Sequence, residues 1–426
     1  MKRDKLSDLI KWKQNERRKP LIMRGARQTG KTWLLKDFGK SQFKQMVYVN
    51  FEETPSLQSL FKNDFDIPRI ITTLQIHSQI NITPGDTLIV FDEIQCAEGG
   101  ITSLKYFNEN APQYFLIAAG SLLGMSLHDN VSFPVGKVQF LDLYPMTFTE
   151  FLSAANEQGL SEIVRNKDWD IISVFHDKLL NYLKYYLHTG GMPEVVSVFS
   201  ETRDWELVRT VQHQILQSYA GDFSKHIPKE VVPRINMVWQ SIPSQLAKEN
   251  KKFIYGLIRE GARSRDFEIA IQWLTDCGLV LKSHRISKPD MPLIAYQDLS
   301  VFKLFLVDVG LLAAMTNIHI RTLIEGDAIF TEFKGALTEQ YVMQQLQTVS
   351  NRYIGYWTNE RSTSEVDFVI QDGSDITAIE VKSGTNLRSK SLRFFNDKYK
   401  PLRVVRTAPS PYKVQDWMIN IPLYAI

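Results

Sequence analysis

The segment L-I-M-R-G-A-R-Q-T-G-K-T, residues 21–32, constrains this chain most. It has the G-x-x-x-x-G-K-[ST] pattern, with an apolar strand before it and a helical stretch after it. In such a loop consecutive backbone N–H groups turn inward at a helix N-terminus and cradle phosphate oxygens. Residues Gly25, Ala26, Arg27, Gln28, Thr29 and Gly30 form the predicted cradle. Gly25 and Gly30 permit the turn, Lys31 reaches the β- and γ-phosphates, and Thr32 ligates Mg²⁺. The second half of the site is T-L-I-V-F-D-E, residues 87–93, an apolar strand ending in two acids. Asp92 is placed to hold the Mg²⁺ through water, and Glu93 to polarise an attacking water. Ser121, at the end of a further strand, either senses the γ-phosphate or caps a helix. The expected ligands are ATP and Mg²⁺.

Strands are predicted at residues 20–24, 46–51, 87–91, 113–119 and 138–143. Helical stretches separate most of them, so a parallel α/β sheet is expected. From about 148 to 223 the pattern is helical, broken by H-T-G-G-M-P-E-V-V (188–196), where the proline is placed in a helix first turn. Residues 233–300 read as three helices and a hairpin, the winged-helix order. In the third helix Phe267, Ala270, Ile271 and Leu274 make an i, i+3, i+4, i+7 stripe, with Ser264 as its cap. The expected division is an ATPase core at 1–150, a helical lid at 151–225, a winged helix at 226–300 and an α/β domain at 301–426.

Composition narrows the class without naming it. Among 426 residues the formal net charge is only +3, too small to argue for a nucleic-acid partner. Two cysteines, Cys96 and Cys277, offer neither a disulfide framework nor zinc-ligand spacing, and a reducing cytoplasm is the expected compartment. The N-terminal M-K-R-D-K-L-S-D-L-I-K-W-K lacks the apolar core of a signal peptide. No membrane span is expected; the uncharged stretch 111–127 carries Pro112, Gly120 and Gly124 and reads as buried core.

The chain resembles the AAA-type ATPases of the additional-strand P-loop group. More narrowly, it is similar to bacterial and archaeal ATP-binding proteins that join such a domain to a C-terminal domain of unknown function. The resemblance rests on G-A-R-Q-T-G-K-T, F-D-E-I-Q, L-D-L-Y-P-M-T-F-T-E-F (141–151), G-G-M-P-E-V-V, S-Q-L-A-K-E-N (244–250), D-V-G-L-L (308–312) and F-K-G-A-L-T-E-Q-Y-V (333–342). Relatives commonly carry Gly-Arg before the L-x-L-x-P segment. Here it is Gly136-Lys137, and lysine cannot make the bidentate contact of an arginine finger. Arg24 and Arg27 flank the loop, and contact with phosphate is open for both.

A second constellation lies near the C-terminus. Residues 366–370 and 377–381 read as a hairpin turned by Asp372, Gly373 and Ser374. Asp367 lies early on its first strand, with Glu365 two residues before it. Glu380 and Lys382, two apart, share one side of the second strand. The segment resembles the PD-(D/E)xK nuclease superfamily. That resemblance implies that Asp367 and Glu380 bind Mg²⁺, that Lys382 positions or activates water, and that Glu339 supplies the glutamate such folds often carry on the preceding helix. Cleavage and mere binding both stay open.

Two basic clusters bear on the partner. Residues 381–406 carry eight basic side chains against one acid, with Phe394, Phe395 and Tyr399 interleaved. Residues 248–265 carry six against two. Each is either a phosphate-backbone contact or an ordinary surface: a solvated helix face for the first, a domain interface for the second. The expected partner is nucleic acid, DNA favoured over RNA. Homo-oligomerisation is open. Three functions compete: an ATP-gated nuclease, a signalling ATPase with a non-cleaving nuclease-like module, and a nucleotide-dependent interaction protein.

Overall fold

The computed structural model describes residues 1–120, 134–248, 251–326, 331–359, 363–384 and 386–426. The chain divides into two compact units. One comprises Arg3–Tyr144 with Asp276–Gly278; the other comprises Met1–Lys2, Pro145–Thr275 and Leu279–Ile426.

The first unit contains α1 (Leu6–Gln14), β1 (Leu21–Arg24), α2 (Lys31–Gln42), β2 (Gln45–Asn50), α3 (Ile67–Ser78), β3 (Thr87–Asp92), α4 (Gly100–Asn110), β4 (Phe115–Ala119) and β5 (Gln139–Asp142). The five strands are all parallel, in the order β2-β3-β4-β1-β5. β4 therefore stands between the strand that enters the phosphate loop and the strand that ends in Asp92, as an additional-strand sheet requires. Alternate side chains leave opposite faces of each strand. Ile22, Ile89, Phe91 and Leu116 meet Ile70, Leu74, Leu104 and Phe107 of α3 and α4 on one face. Met23, Leu88, Val90 and Ile117 meet Leu9, Trp12, Leu34 and Phe38 of α1 and α2 on the other. Covered on both faces, β3 and β4 are buried throughout, which is why they read as continuous apolar runs.

The second unit begins with six helices: α5 (Phe148–Ala154), α6 (Gln158–Asn166), α7 (Trp169–Val174), α8 (His176–Thr189), α9 (Pro193–Thr202) and α10 (Trp205–His226). Pro193 occupies the first turn of α9 as expected. Then come α11 (Val232–Leu246), α12 (Ser264–Asp276), β6 (Val280–Ile286), β7 (Gln297–Leu306), α13 (Val309–Met315), α14 (Thr331–Gln347), β8 (Arg352–Thr358), β9 (Glu365–Asp372), β10 (Asp375–Val381), α15 (Lys390–Tyr399), β11 (Arg403–Ala408), β12 (Lys413–Val414) and β13 (Ile419–Pro422). The expected stripe Phe267, Ala270, Ile271 and Leu274 is the buried face of α12. Ser264 is the first residue inside that helix, not the residue before it. Between 233 and 276 the described residues hold two α-helices and a 3-10 turn at Tyr255–Leu257, where three helices were expected. Gly256 and Gly261 lie in that interval, and glycine disfavours helix propagation.

The eight strands β6–β13 form one mixed sheet, ordered β12-β13-β11-β10-β9-β8-β6-β7. The β6–β7 hairpin that the winged-helix order anticipates is built into this sheet, β6 pairing parallel with β8. β7 runs through residue 300, where the sequence reading set a boundary.

Several of the quoted motifs meet at one buried point. Asp308 caps α13 by accepting from Leu311 N–H at 3.0 Å, and also accepts from Gly191 N–H at 2.6 Å and Gln344 Nε2 at 3.0 Å. A Cβ on Gly190 would lie 2.0 Å from Asp308 Oδ1, and one on Gly310 2.3 Å from the Thr189 carbonyl oxygen. G-G-M-P, D-V-G-L-L and the helix glutamines are thus one packing device, tying α8 and α9 to α13 and α14. Burial pushes the Asp308 carboxyl up to about 6, against the pull of its N–H donors.

Candidate nucleotide site and acid–lysine cluster

The phosphate loop leaves β1 and enters α2. Gly25 has φ +149°, and a Cβ there would stand 2.2 Å from the Leu143 carbonyl oxygen, so the position requires glycine. Gly30 caps α2 at φ +90°. Gln28, at φ +63°, is a non-glycine residue in the left-handed region. Thr29 is fully buried and its hydroxyl donates to the Ala26 carbonyl at 2.9 Å. From outside the loop, the Arg3 guanidinium donates to the Thr29 carbonyl at 2.7 Å and to the Tyr144 carbonyl at 2.6 Å. Sequence reasoning passed over Arg3, because a terminal Lys-Arg pair looks like ordinary surface charge.

Lys31 is folded onto its own loop, with Nζ donating to the Gly25 and Ala26 carbonyls at 2.8 Å each. Burial lowers its pKa to about 8, opposed by the nearby carboxylates of Glu93 and Asp92 and reinforced by Arg27. Thr32 Oγ1 donates to Asp92 Oδ2 at 2.8 Å. Tyr48, on β2, donates to the same oxygen at 2.6 Å, and desolvation with this bond raises its pKa. A lone tyrosine on a strand carries no signal that marks it for such a place. The Glu93 carboxylate accepts from Gln95 Nε2 at 2.5 Å, and its backbone sits in the left-handed region at φ +49°. Arg24 forms a two-pronged pair with Asp142 at 2.8 and 2.9 Å and lies over the Phe140 ring, so that carboxylate satisfies its guanidinium. Ser121 lies outside the described residues.

These residues suit Mg²⁺. A hydroxyl and a carboxylate are hard oxygen donors, and they already touch. Asp92 Oδ2 is held here by the neutral hydroxyl groups of Thr32 and Tyr48, which a metal can displace.

The C-terminal constellation is arranged differently. Asp367 accepts from Val381 N–H at 2.8 Å. Its charged surroundings are Glu339 of α14, Glu365 of its own strand, Lys303 of β7 and Lys251. Lys303 is fully buried; its Nζ hydrogen-bonds Glu365 and lies 3.4 Å from Glu339 Oε2. Lys251 bonds the other Glu339 oxygen. The two lysines hold the Glu339 carboxyl below its usual range against desolvation, while burial pushes Glu365 and Asp367 up. Glu380 forms a separate pair with Lys382 at 3.0 Å, beside Arg406. Its Oε2 is buried with no hydrogen-bond partner among the described residues. Among the described residues no three His, Cys, Asp or Glu side chains form a group that could hold a metal ion. Asp367 thus bonds the backbone of the residue between Glu380 and Lys382, and the ammonium groups of Lys303 and Lys251 are among its charged neighbours. Lys303 was missed because a lysine within the apolar run V-F-K-L-F-L reads as a strand's solvent-facing residue.

The basic clusters are partly spent inside the fold. Lys251 serves Glu339, and Arg406 donates to Asn420 and the Leu387 carbonyl. Lys248, Arg259, Arg263 and Arg265 are exposed, as are Arg388, Lys390, Lys398, Lys400 and Arg403. No helix among the described residues is long and apolar enough to cross a membrane.

Comparison with known proteins bears on both units. Residues 17–152 match a family described as an AAA domain. Residues 180–321 and 334–426 match two families described as domains of unknown function. No curated protein matches the chain. Among solved structures it is similar to the Walker-type ATPase PABY2304 of Pyrococcus abyssi, at 15% identity and TM-score 0.45, covering 74% of this chain and 95% of that one. It is also similar to the Aeropyrum pernix ORC1 protein in complex with DNA, at 14% identity and TM-score 0.29, covering 74% and 91%. A third is Cdc6p from Pyrobaculum aerophilum, at 13% identity and TM-score 0.24, covering 75% and 93%. These likenesses are distant. With its family match, its P-loop and its inserted fourth strand, the five-stranded unit is an AAA-type P-loop ATPase domain.

Proposed function

We propose that the chain is a Mg²⁺-dependent ATPase whose second unit binds nucleic acid, DNA in preference to RNA. The observation that carries the ATPase reading is the contact between Thr32 and Asp92 at the foot of a loop that folds Lys31 inward. In this reading the loop N–H groups of residues 25–32 and Lys31 hold the phosphates. Thr32 and Asp92 hold Mg²⁺, which when bound offsets charge on the phosphate oxygens. Glu93 orients and polarises the attacking water once it leaves Gln95. Lys31→Ala then loses ATP binding and turnover, whereas Glu93→Gln binds ATP and does not hydrolyse it. Phosphate release and a nucleotide titration on both variants test this. Normal turnover in Glu93→Gln would place the water-orienting group elsewhere.

The nucleic-acid reading is supported by exposed Arg259, Arg263 and Arg265, on and just before α12. Replacing Arg263 and Arg265 together is expected to shallow the salt dependence of DNA binding by about 2 in log–log slope. An unchanged slope would remove α12 from the interface. The winged-helix and nuclease-like descriptions of residues 226–300 and 301–426 belong to the same proposal. A non-cleaving module is favoured over a nuclease by one specific observation, the lysine-filled acid cluster.

A further inference from the structure

We propose that the Lys303 side chain is the resident cation of the Glu339–Glu365–Asp367 cluster, paired directly with Glu339 and Glu365, so that this cluster is closed to metal. The three carboxylates come from α14 and β9, and the two ammonium groups from β7 and the segment before the 3-10 turn. Lys303 Nζ touches Glu365 and Glu339, and Lys251 takes the remaining Glu339 oxygen. Both oxygens of Glu339 and one of Glu365 are thereby occupied by ammonium groups. One oxygen of Asp367 is occupied by the Val381 N–H.

Mg²⁺ or Mn²⁺ needs several oxygens converging at close range and does not share its centre with another cation. A lysine differs from a bound ion in being covalently attached. Lys303 has no exposed surface and its stem lies in the core of a ten-residue strand, with the Tyr356 ring 4.8 Å from Nζ. It cannot exchange for a metal without unfolding β7. The cluster therefore acts as a clamp joining β7, β9 and α14. This inference is independent of the ATPase reading, because every group in it lies in the second unit.

The test is a Mn²⁺ titration of the nucleotide-free full chain, read by the loss of the free Mn²⁺ electron paramagnetic resonance signal. The unmodified chain is expected to bind no Mn²⁺ that Asp367→Asn removes. Lys303→Met, which keeps the stem and deletes the charge, is expected to gain a bound Mn²⁺ that Lys303→Met/Asp367→Asn loses again. A Mn²⁺ bound by the unmodified chain and lost in Asp367→Asn overturns the proposal. So does a folded Lys303→Met that gains none. If Lys303→Met does not fold, the comparison of unmodified chain with Asp367→Asn decides the matter alone. Neither variant touches the P-loop, so failure here leaves the ATPase reading standing, and failure of that reading leaves this one.

Discussion

The two acid–lysine sites of this chain use the same residue types to opposite ends. At the P-loop, Asp92 is held by hydroxyl groups of Thr32 and Tyr48, and Lys31 rests on carbonyl oxygens of its own loop. Each of those bonds is neutral at one end and can be exchanged for a phosphate or a metal. In the second unit, Glu339 and Glu365 are held by ammonium groups, the fully buried one of Lys303 and the half-buried one of Lys251. An ion pair inside a protein is costly to open, because each partner left alone is a desolvated charge. What neutralises an acid, more than the presence of the acid, decides whether a site is available for chemistry.

The comparison breaks most sharply when each lysine is removed. Lys31→Ala is expected to cut ATP turnover by at least about 10²–10³-fold with little effect on folding, as expected for loss of a phosphate-directed donor. Lys303→Ala is expected to do the reverse. It should destabilise the second unit by about 3–5 kcal/mol, the usual result of stranding a buried charge, while ATP binding in the first unit persists. Urea denaturation together with a nucleotide titration reads both. A stable Lys303→Ala would mean that the cluster is hydrated and open.

Gly25→Ala sharpens the P-loop half. The new Cβ collides with the Leu143 carbonyl and the backbone conformation disfavours a side chain. A loss of about 3 kcal/mol, strain and clash together, is expected in ATP binding or in the stability of the first unit. Calorimetric titration and thermal melting divide the effect between them. Arg3→Ala follows, at about 1.5–3 kcal/mol, because it deletes charge-assisted bonds to two carbonyls, the buried one of Thr29 and the half-buried one of Tyr144. An unchanged melting temperature and ATP affinity in Arg3→Ala would show that the loop holds its shape unaided.

How far the sequence could be read follows the same division. The first unit was legible because its signals are local. A glycine loop between a strand and a helix, and an apolar run ending in Asp-Glu, each announce their geometry within about ten residues. The C-terminal hairpin was legible too, since Gly373 at φ +59° sits in the turn expected of it. The acid cluster was not, because its deciding residue lies 36 positions from Glu339 and 62 from Glu365. Nothing local distinguishes Lys303 from an edge-facing lysine. Motif spacing brought Glu380 and Lys382 together, and they do pair. It could not tell that Lys303 and Lys251 would stand among the charged neighbours of Asp367. Arg3 and Tyr48 were hidden for the same reason: single residues whose role comes from tertiary contact alone.

The smallest expected effect is a pH dependence that separates the two lysines by sign. In the free protein burial lowers the Lys31 pKa to about 8, from an ordinary 10.5. Between those values the unfolded chain holds more protons than the folded one, so Lys31 makes the free protein gain stability as pH rises from 8 toward 10.5. ATP reverses this, because its phosphates favour the charged ammonium. Affinity for ATP should be flat below pH 8 and fall above it, approaching tenfold per pH unit. At pH 8.5 binding should take up about three-quarters of a proton, measurable as a dependence of the calorimetric enthalpy on the buffer's ionisation enthalpy. The pKa of Lys303 is shifted upward by Glu365, Glu339 and Asp367 in spite of its burial. It therefore contributes stability that is present below its ordinary pKa and is lost as pH rises through and above it, so almost no slope from Lys303 enters the window from about 8 to about 9.5. ATP binding without proton uptake at pH 8.5 would show that Lys31 stays charged in its carbonyl cage, and would remove the distinction between the two sites that rests on protonation while leaving the one that rests on contacts.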